Sequence, residues 1–178
     1  MKSMARAFAI LSLLALSAWA AEDVVNAVHG VISKLDEGTK TMVVKTADGV
    51  EHTFKFVGRT TVHGTEAAAK GTFHGLSEGS EVVAHYTSKG AEDTAVEVDK
   101  VGKGGLKTVD GTITHIDRGT KTVAVKTADG TEETFKLSDH AAADAGKDIG
   151  KGTEKSTKVT VYYTEDAGKK VAHFFEKI

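Results

Sequence analysis

Hydrophobic and polar residues alternate along most of this chain with the period of two that marks a half-buried β-strand. From Lys40 to Thr46 the alternation places Met42 and Val44 on one face and Val43 and Lys45 on the other. Lys121 to Thr127 repeats the pattern with Val123 and Val125. A strand precedes each run, Gly30–Asp36 and Gly111–Asp117, and an Ala-Asp-Gly triplet follows it, at 47–49 and 128–130. Asp-Gly between alternating runs predicts a type I′ hairpin turn. The third strands then point Phe54 and Phe56, or Phe135 and Leu137, inward. In the loop before the second strand, Gly38 or Gly119 is expected to take the left-handed backbone position. Alanine-rich stretches at 65–70 and 138–145, each headed by Thr, Ser or Asp, predict short capped helices. Strands at 82–87 and 95–101, and at 159–164 and 172–178, complete the series.

The two halves are copies of one another. Gly30–Phe56 returns 81 positions later as Gly111–Leu137, and 17 of the 27 aligned pairs are identical, so the chain is a tandem of homologous units. The units span 22–101 and 108–178, joined by the glycine-rich linker 102–107, which is expected to be flexible. Their order, β-β-β-(short α)-β-β, is that of an OB-type barrel, although an SH3-like or other small closed barrel fits the periodicity too. The expected fold is all-β with short helices: two tandem five-stranded OB-like small barrels after a cleaved signal peptide. Residues kept by both copies serve the shared fold, so chemistry is sought where the copies differ.

The Gly-x-Ile-x-x-Ile-Asp strand, the Thr-x-x-Val-Lys-Thr-Ala-Asp-Gly turn and the run Leu76-Ser-Glu-Gly79-Ser-Glu-Val82 leading into a strand resemble exported bacterial OB-like domains of unknown function. The resemblance covers nearly all the chain after the leader. It implies the fold and carries no chemistry. The second unit departs from it where Thr153-Glu-Lys-Ser-Thr-Lys-Val159 replaces the Leu-x-x-Gly-x-x-Val segment.

The first twenty residues read as a signal peptide. Lys2 and Arg6 form a basic start, Ala7–Leu16 is apolar, and Ala18-Trp19-Ala20 offers a small-x-small cleavage site. The apolar run falls short of the ~20 residues that span a bilayer. A periplasmic or secreted location follows, with no stable membrane insertion. Loss of Lys2 and Arg6 with the leader leaves 21 basic against 25 acidic residues, a net charge of −4, which argues against a polyanion-binding surface and hence against nucleic acid. The absence of Cys removes disulfides, thiolate metal sites and cysteine nucleophiles together.

Histidine is the main candidate chemistry. The first unit holds His29, His52, His63, His74 and His85, and a barrel could gather three imidazoles around Zn, Cu or Ni. No His recurs at the equivalent place in the other copy, and no ligand motif spacing is present, so scattered solvent-facing histidines are the expectation. Met42, whose twin is Val123, reads as core filling rather than a copper ligand. Gly75-Leu-Ser-Glu-Gly79 matches the nucleophile-elbow pattern formally but precedes a strand, so it reads as a turn. In the adjacent pairs Tyr162-Tyr163 and Phe174-Phe175 one member should face outward, making Tyr162 and one Phe an exposed patch on the second unit. No catalytic, cofactor or metal residue is assigned by sequence. The expectation is a non-enzymatic exported binding or scaffold protein with an unknown ligand or envelope partner, or else a periplasmic metal-binding protein that uses the first unit's histidines.

Overall fold

The computed structural model describes residues 25–66, 68–141 and 156–178; the expected leader at 1–20 lies outside them. Among the described residues eleven strands follow in chain order. β1 (Val25–Asp36), β2 (Thr41–Lys45), β3 (Glu51–Lys55), β4 (Thr61–His63), β5 (Glu81–Lys89) and β6 (Glu92–Lys100) build the first unit. β7 (Lys107–Asp117), β8 (Thr122–Thr127), β9 (Glu132–Leu137), β10 (Lys158–Asp166) and β11 (Lys169–Lys177) build the second.

The strands of the second unit close into a barrel in the order β10-β11-β9-β8-β7, with β10 pairing back onto β7. The first unit repeats that order as β3-β2-β1-β5-β6 and closes through a parallel β3–β6 pairing, Phe54 opposite Asp93. In both, the first strand pairs with the second and the fourth, and the fifth strand runs parallel to the third. This is the OB order and settles the choice left open by periodicity. The first strand bends through a bulge at the same place in each copy, between Ile32 and Lys34 and between Ile113 and His115.

The alternation buries the expected residues. Ile32, Met42, Val44, Phe54, Val82 and Val98 fill one barrel; Ile113, Val123, Val125, Phe135, Val159 and Val161 fill the other. Met42 and Val123 are both fully buried. Gly30 and Gly111 lie where the first strand crosses the second. A Cβ on Gly30 would stand 2.5 Å from the Lys45 carbonyl, and one on Gly111 would stand 2.7 Å from that of Lys126.

Local details differ from the sequence expectation. In both Asp-Gly hairpins only the glycine has positive φ, +86° at Gly49 and at Gly130. The Gly49 N–H donates to the Thr46 carbonyl while Thr46 N–H donates to Val50. This is a three-residue loop with a glycine bulge rather than a type I′ turn. Asp48 accepts from the Thr46 hydroxyl and the Val50 N–H, which holds the aspartate out of the left-handed region. In the preceding loops the left-handed residues are Lys40 and Lys121, not Gly38 and Gly119. Asp36 and Asp117 cap those loops by accepting from Thr39 and Thr120 N–H.

The helix expected at 65–70 does not form among the described residues. Glu66 and Lys70 lie between Gly64 and Gly71, both at positive φ, and so short an alanine run cannot repay helix nucleation. Just ahead of that segment the chain adds a strand the alternation did not show, β4, parallel to β6. In the second unit a single helical turn starts at Asp139, capped by Ser138 Oγ accepting from Ala141 N–H. The remainder of the expected helix, 142–145, lies outside the described residues.

The two barrels meet along a seam. Val83, Leu106 and Tyr162 are buried together there, with Ala27, Val101 and Phe174 packed around them. Leu106 belongs to the glycine-rich linker and is 1% exposed; its N–H donates to the Lys100 carbonyl and its carbonyl accepts from Gly102. The linker is thus a folded turn rather than a flexible tether.

Candidate functional site

The face of β5 turned away from the first barrel's core carries Glu81, Val83 and His85 in succession, since Val82 and Ala84 face inward. On the neighbouring β6, Val98 faces inward and so Glu97 and Asp99 lie on the same outer face. That face would meet water in an isolated barrel. Here the second barrel covers it. His85 is fully buried and Asp99 is 1% exposed.

Strand β4 supplies a fourth group beside His85, Glu97 and Asp99. Its parallel register sets His63 opposite Asp99, and the His63 Nδ1 to Asp99 Oδ1 distance is 2.9 Å. The second barrel supplies two more. His140, in the turn after β9, places Nδ1 2.8 Å from Glu97 Oε2. His173 places Nδ1 3.3 Å from Asp99 Oδ2 and 3.5 Å from Glu97 Oε1.

His173 reaches the seam because of a bulge. Along β10 and β11 the pairing passes from Tyr163 opposite Ala172 to Tyr162 opposite Phe174, leaving His173 without an opposite residue. The shift reverses the alternation beyond it. Ala172 and Phe175 therefore pack in the barrel core, while Phe174 turns to the seam. The first barrel has the same bulge, between Tyr86 opposite Ala95 and His85 opposite Glu97, where Val96 stands in place of His173.

The cluster thus gathers four imidazoles and two carboxylates from both barrels, and several of its buried atoms lack a hydrogen bond. Neither ring nitrogen of His85 has a partner, nor do Asp99 Oδ2 and His173 Nδ1. Burial holds the His85 imidazole down to about 4, against the pull of Asp99 and Glu97, so it is neutral at pH 7. Burial would lower His173 also, but the carboxylates of Asp99 and Glu97 override it and raise that imidazole to about 9. Burial works to raise Glu97; the imidazole of His173 and those nearby outweigh it and bring the carboxyl to about 2. Unsatisfied buried polar atoms cost about 1–3 kcal/mol each, and each one in a folded protein calls for a reason.

The distances supply one. Metal–ligand bonds of about 2.0–2.2 Å in tetrahedral array separate neighbouring ligand atoms by about 3.3–3.6 Å. Asp99 Oδ2 and His173 Nδ1 are 3.3 Å apart, and Glu97 Oε1 and His173 Nδ1 are 3.5 Å apart. His63 Nδ1 to Glu97 Oε1 and His85 Nε2 to Asp99 Oδ2 are both 3.7 Å. These spacings are poor for hydrogen bonds and suited to the edges of a coordination shell. One ligand atom from each of His63, Glu97 and Asp99 lies within 4.8 Å of the other two. Mixed imidazole and carboxylate donors, with no thiolate in the chain, suit Zn²⁺, Cu²⁺ or Ni²⁺.

No protein-family model matches the chain, and no curated protein matches it either. Among solved structures it is similar to silver(I)-bound CusF of Escherichia coli, residues 10–88, at 15% identity, with 46% of this chain and 98% of that chain covered and a TM-score of 0.36. A second silver(I) CusF structure gives 14% identity, coverage of 43% and 96%, and a TM-score of 0.33. The fold is all-β, with two five-stranded OB-like barrels in tandem. Among the described residues no helix is long and apolar enough to cross a membrane.

The sequence candidates divide sharply. His63 and His85 converge on the carboxylates, and His85 is buried where solvent exposure was expected. His29 sits at the other end of the seam, between Glu81 at 2.9 Å and Glu176 at 3.1 Å. His52 stays on β3 beside Phe54, its ring centroid 6.2 Å away, and His74 lies exposed in a turn at φ 50°. Gly75–Gly79 is a turn into β5, with Gly79 N–H donating to the Ile32 carbonyl. The exposed aromatic patch does not exist. Tyr162 is 3% exposed and packs with Phe174 against the first barrel, while Tyr163 lies in the core of its own barrel. Four site residues were not singled out in the sequence: Glu97, Asp99, His140 and His173. The available signal for His173 was its alignment with Val96, a charge-capable residue where the other copy has an aliphatic one.

Proposed function

We propose that this is a non-enzymatic exported binding protein whose ligand is a divalent transition-metal ion, held between its two barrels by Asp99, Glu97, His63 and His173. The observation that carries the reading is the buried Asp99 carboxylate. One of its oxygens accepts from His63, and the other faces the unpartnered nitrogens of His173 and His85 without a hydrogen bond. A cation at that point gives Asp99 Oδ2 and His173 Nδ1 a partner. The ion must displace the proton that the two carboxylates hold on His173, so binding releases it. His140 orients Glu97 from outside the shell, as outer partners of metal ligands do. The leader read from sequence supports export.

Calorimetric titration of the metal-free protein with Zn²⁺, Cu²⁺ and Ni²⁺ tests it. Asp99→Asn and His63→Ala should each weaken binding by at least ~10-fold, within the range seen for lost ligands and their partners. His74→Ala, outside the cluster, should bind as the parent does. No heat from any of the three ions, or equal affinity in Asp99→Asn, would refute the proposal.

A further inference from the structure

We infer that the bound ion is the clasp of the inter-barrel seam: filling the cluster tightens the docking of the second barrel on the first, and docking in turn raises the affinity for the ion. The inference rests on the metal reading above and adds a mechanical consequence to it.

The ligands are divided between the barrels. His63, Glu97 and Asp99 come from β4 and β6, whereas His173 comes from the second barrel, which also supplies His140 to Glu97. An ion bound to both sets is a cross-link. Among the described residues the rest of the seam is small: three buried apolar residues, Val83, Leu106 and Tyr162, against eleven in one barrel core and eight in the other. One of the three, Leu106, belongs to the connecting turn. So little apolar burial leaves the docking to the seam's two polar ends.

The end remote from the cluster is built differently. His29 of the first barrel stands between Glu81 of its own barrel and Glu176 of the second, and its Nδ1 is 3.0 Å from the Tyr162 hydroxyl. Tyr162 donates to Glu176 at 2.7 Å. Its partners are all protein groups already, so this end is complete without an added ion. At the cluster end two acidic side chains, Glu97 and Asp99, are pressed together with unpartnered atoms around them. The same strand face joins the two ends through Glu81, Val83 and His85. Anything that seats the barrels more firmly at His29 holds His140 and His173 closer to the carboxylates. Linkage then requires the converse, that the ion favours the seated arrangement by the same factor.

The test uses the chain's lack of cysteine. Glu51→Cys and Lys169→Cys, at exposed positions on different barrels, accept a pair of spin labels for distance measurement with and without Zn²⁺. The expected result is a narrower distance distribution with Zn²⁺, reversed by a chelator. His29→Ala, which touches none of the ligands, should broaden the metal-free distribution and lower Zn²⁺ affinity about 10-fold, within the usual range of coupling between sites. Leu106→Ala should act in the same direction. Identical distributions with and without Zn²⁺, together with parental affinity in His29→Ala, would overturn the clasp while leaving the metal site standing. Absence of Zn²⁺ binding by the labelled parent would sink both, and titration shows that before any distance is measured.

Discussion

His173 of the second barrel places its Nδ1 3.3 Å from Oδ2 of Asp99 in the first, and neither atom has a hydrogen bond. Two buried polar atoms from separate barrels face one another at a ligand-to-ligand spacing rather than at a bonded one.

Replacing His173 by Val gives the second bulge the residue that the first already holds at Val96. The fold should tolerate it, because the same bulge closes the first barrel with an aliphatic side chain there. Zn²⁺ affinity should fall by ~10–100-fold, the scale seen when a metal site loses an essential supporting group. Calorimetry beside a far-ultraviolet spectrum separates loss of the site from loss of the fold.

In the absence of metal, stability should fall on both sides of neutrality. His85 titrates at about 4 when folded and near its ordinary ~6.5 when unfolded, so folding excludes a proton. Its contribution is complete above ~6.5 and is lost as pH drops toward 4, on the order of 3 kcal/mol. His173 has the opposite sign. Raised to about 9, it stabilises fully below ~6.5, and that contribution drains away as pH rises through 9. Urea unfolding with a chelator from pH 4 to 10 should show the acid limb flattened in His85→Gln and the alkaline limb flattened in His173→Val.

Tyr162→Phe keeps the ring in the seam and removes the hydroxyl that donates to Glu176. The lost bond should cost about 1 kcal/mol. Denaturant midpoints at unchanged slope would show it; no loss at all would mean the remote end of the seam contributes nothing.

Gly111→Ala should destabilise by about 1–3 kcal/mol, the usual range for overpacking, because its Cβ would press on the Lys126 carbonyl, a backbone atom that cannot turn aside. Gly30→Ala should act alike, at the Lys45 carbonyl. Thermal unfolding of the two variants gives the comparison.

Much of the fold was legible in the residues themselves. Met42, Val44 and Phe54, with Val123, Val125 and Phe135, are buried as the alternation requires, and the duplication was plain from aligned identities. The turns were located correctly and their type was not. Side-chain hydrogen bonds from Asp48 and Asp129 select a bulged loop that the Asp-Gly pair alone does not specify. The site was hardly legible. His63 was visible as a histidine, but its place beside Asp99 depends on a three-residue parallel strand too short to show an alternation. Tyr162 and His85 were expected to face water because alternation set both outside their own barrels.

The sequence by itself determined ten of the strands, which face of each fills a core, and that the barrel is built twice, although β1, β6, β7 and β11 begin three to five residues earlier than the alternation showed and β4 was not foreseen. Those properties are local, since period-two patterning, a glycine at a close crossing and an aspartate at a turn act within a few residues. Tertiary structure alone decided what lies outside each core. An outward side chain meets water in one barrel and another barrel in two, and nothing in the alternation separates those cases. The bulge at His173 and the seam over β5 and β6 settled it, bringing four imidazoles and two carboxylates from distant positions into one cluster around the buried Asp99.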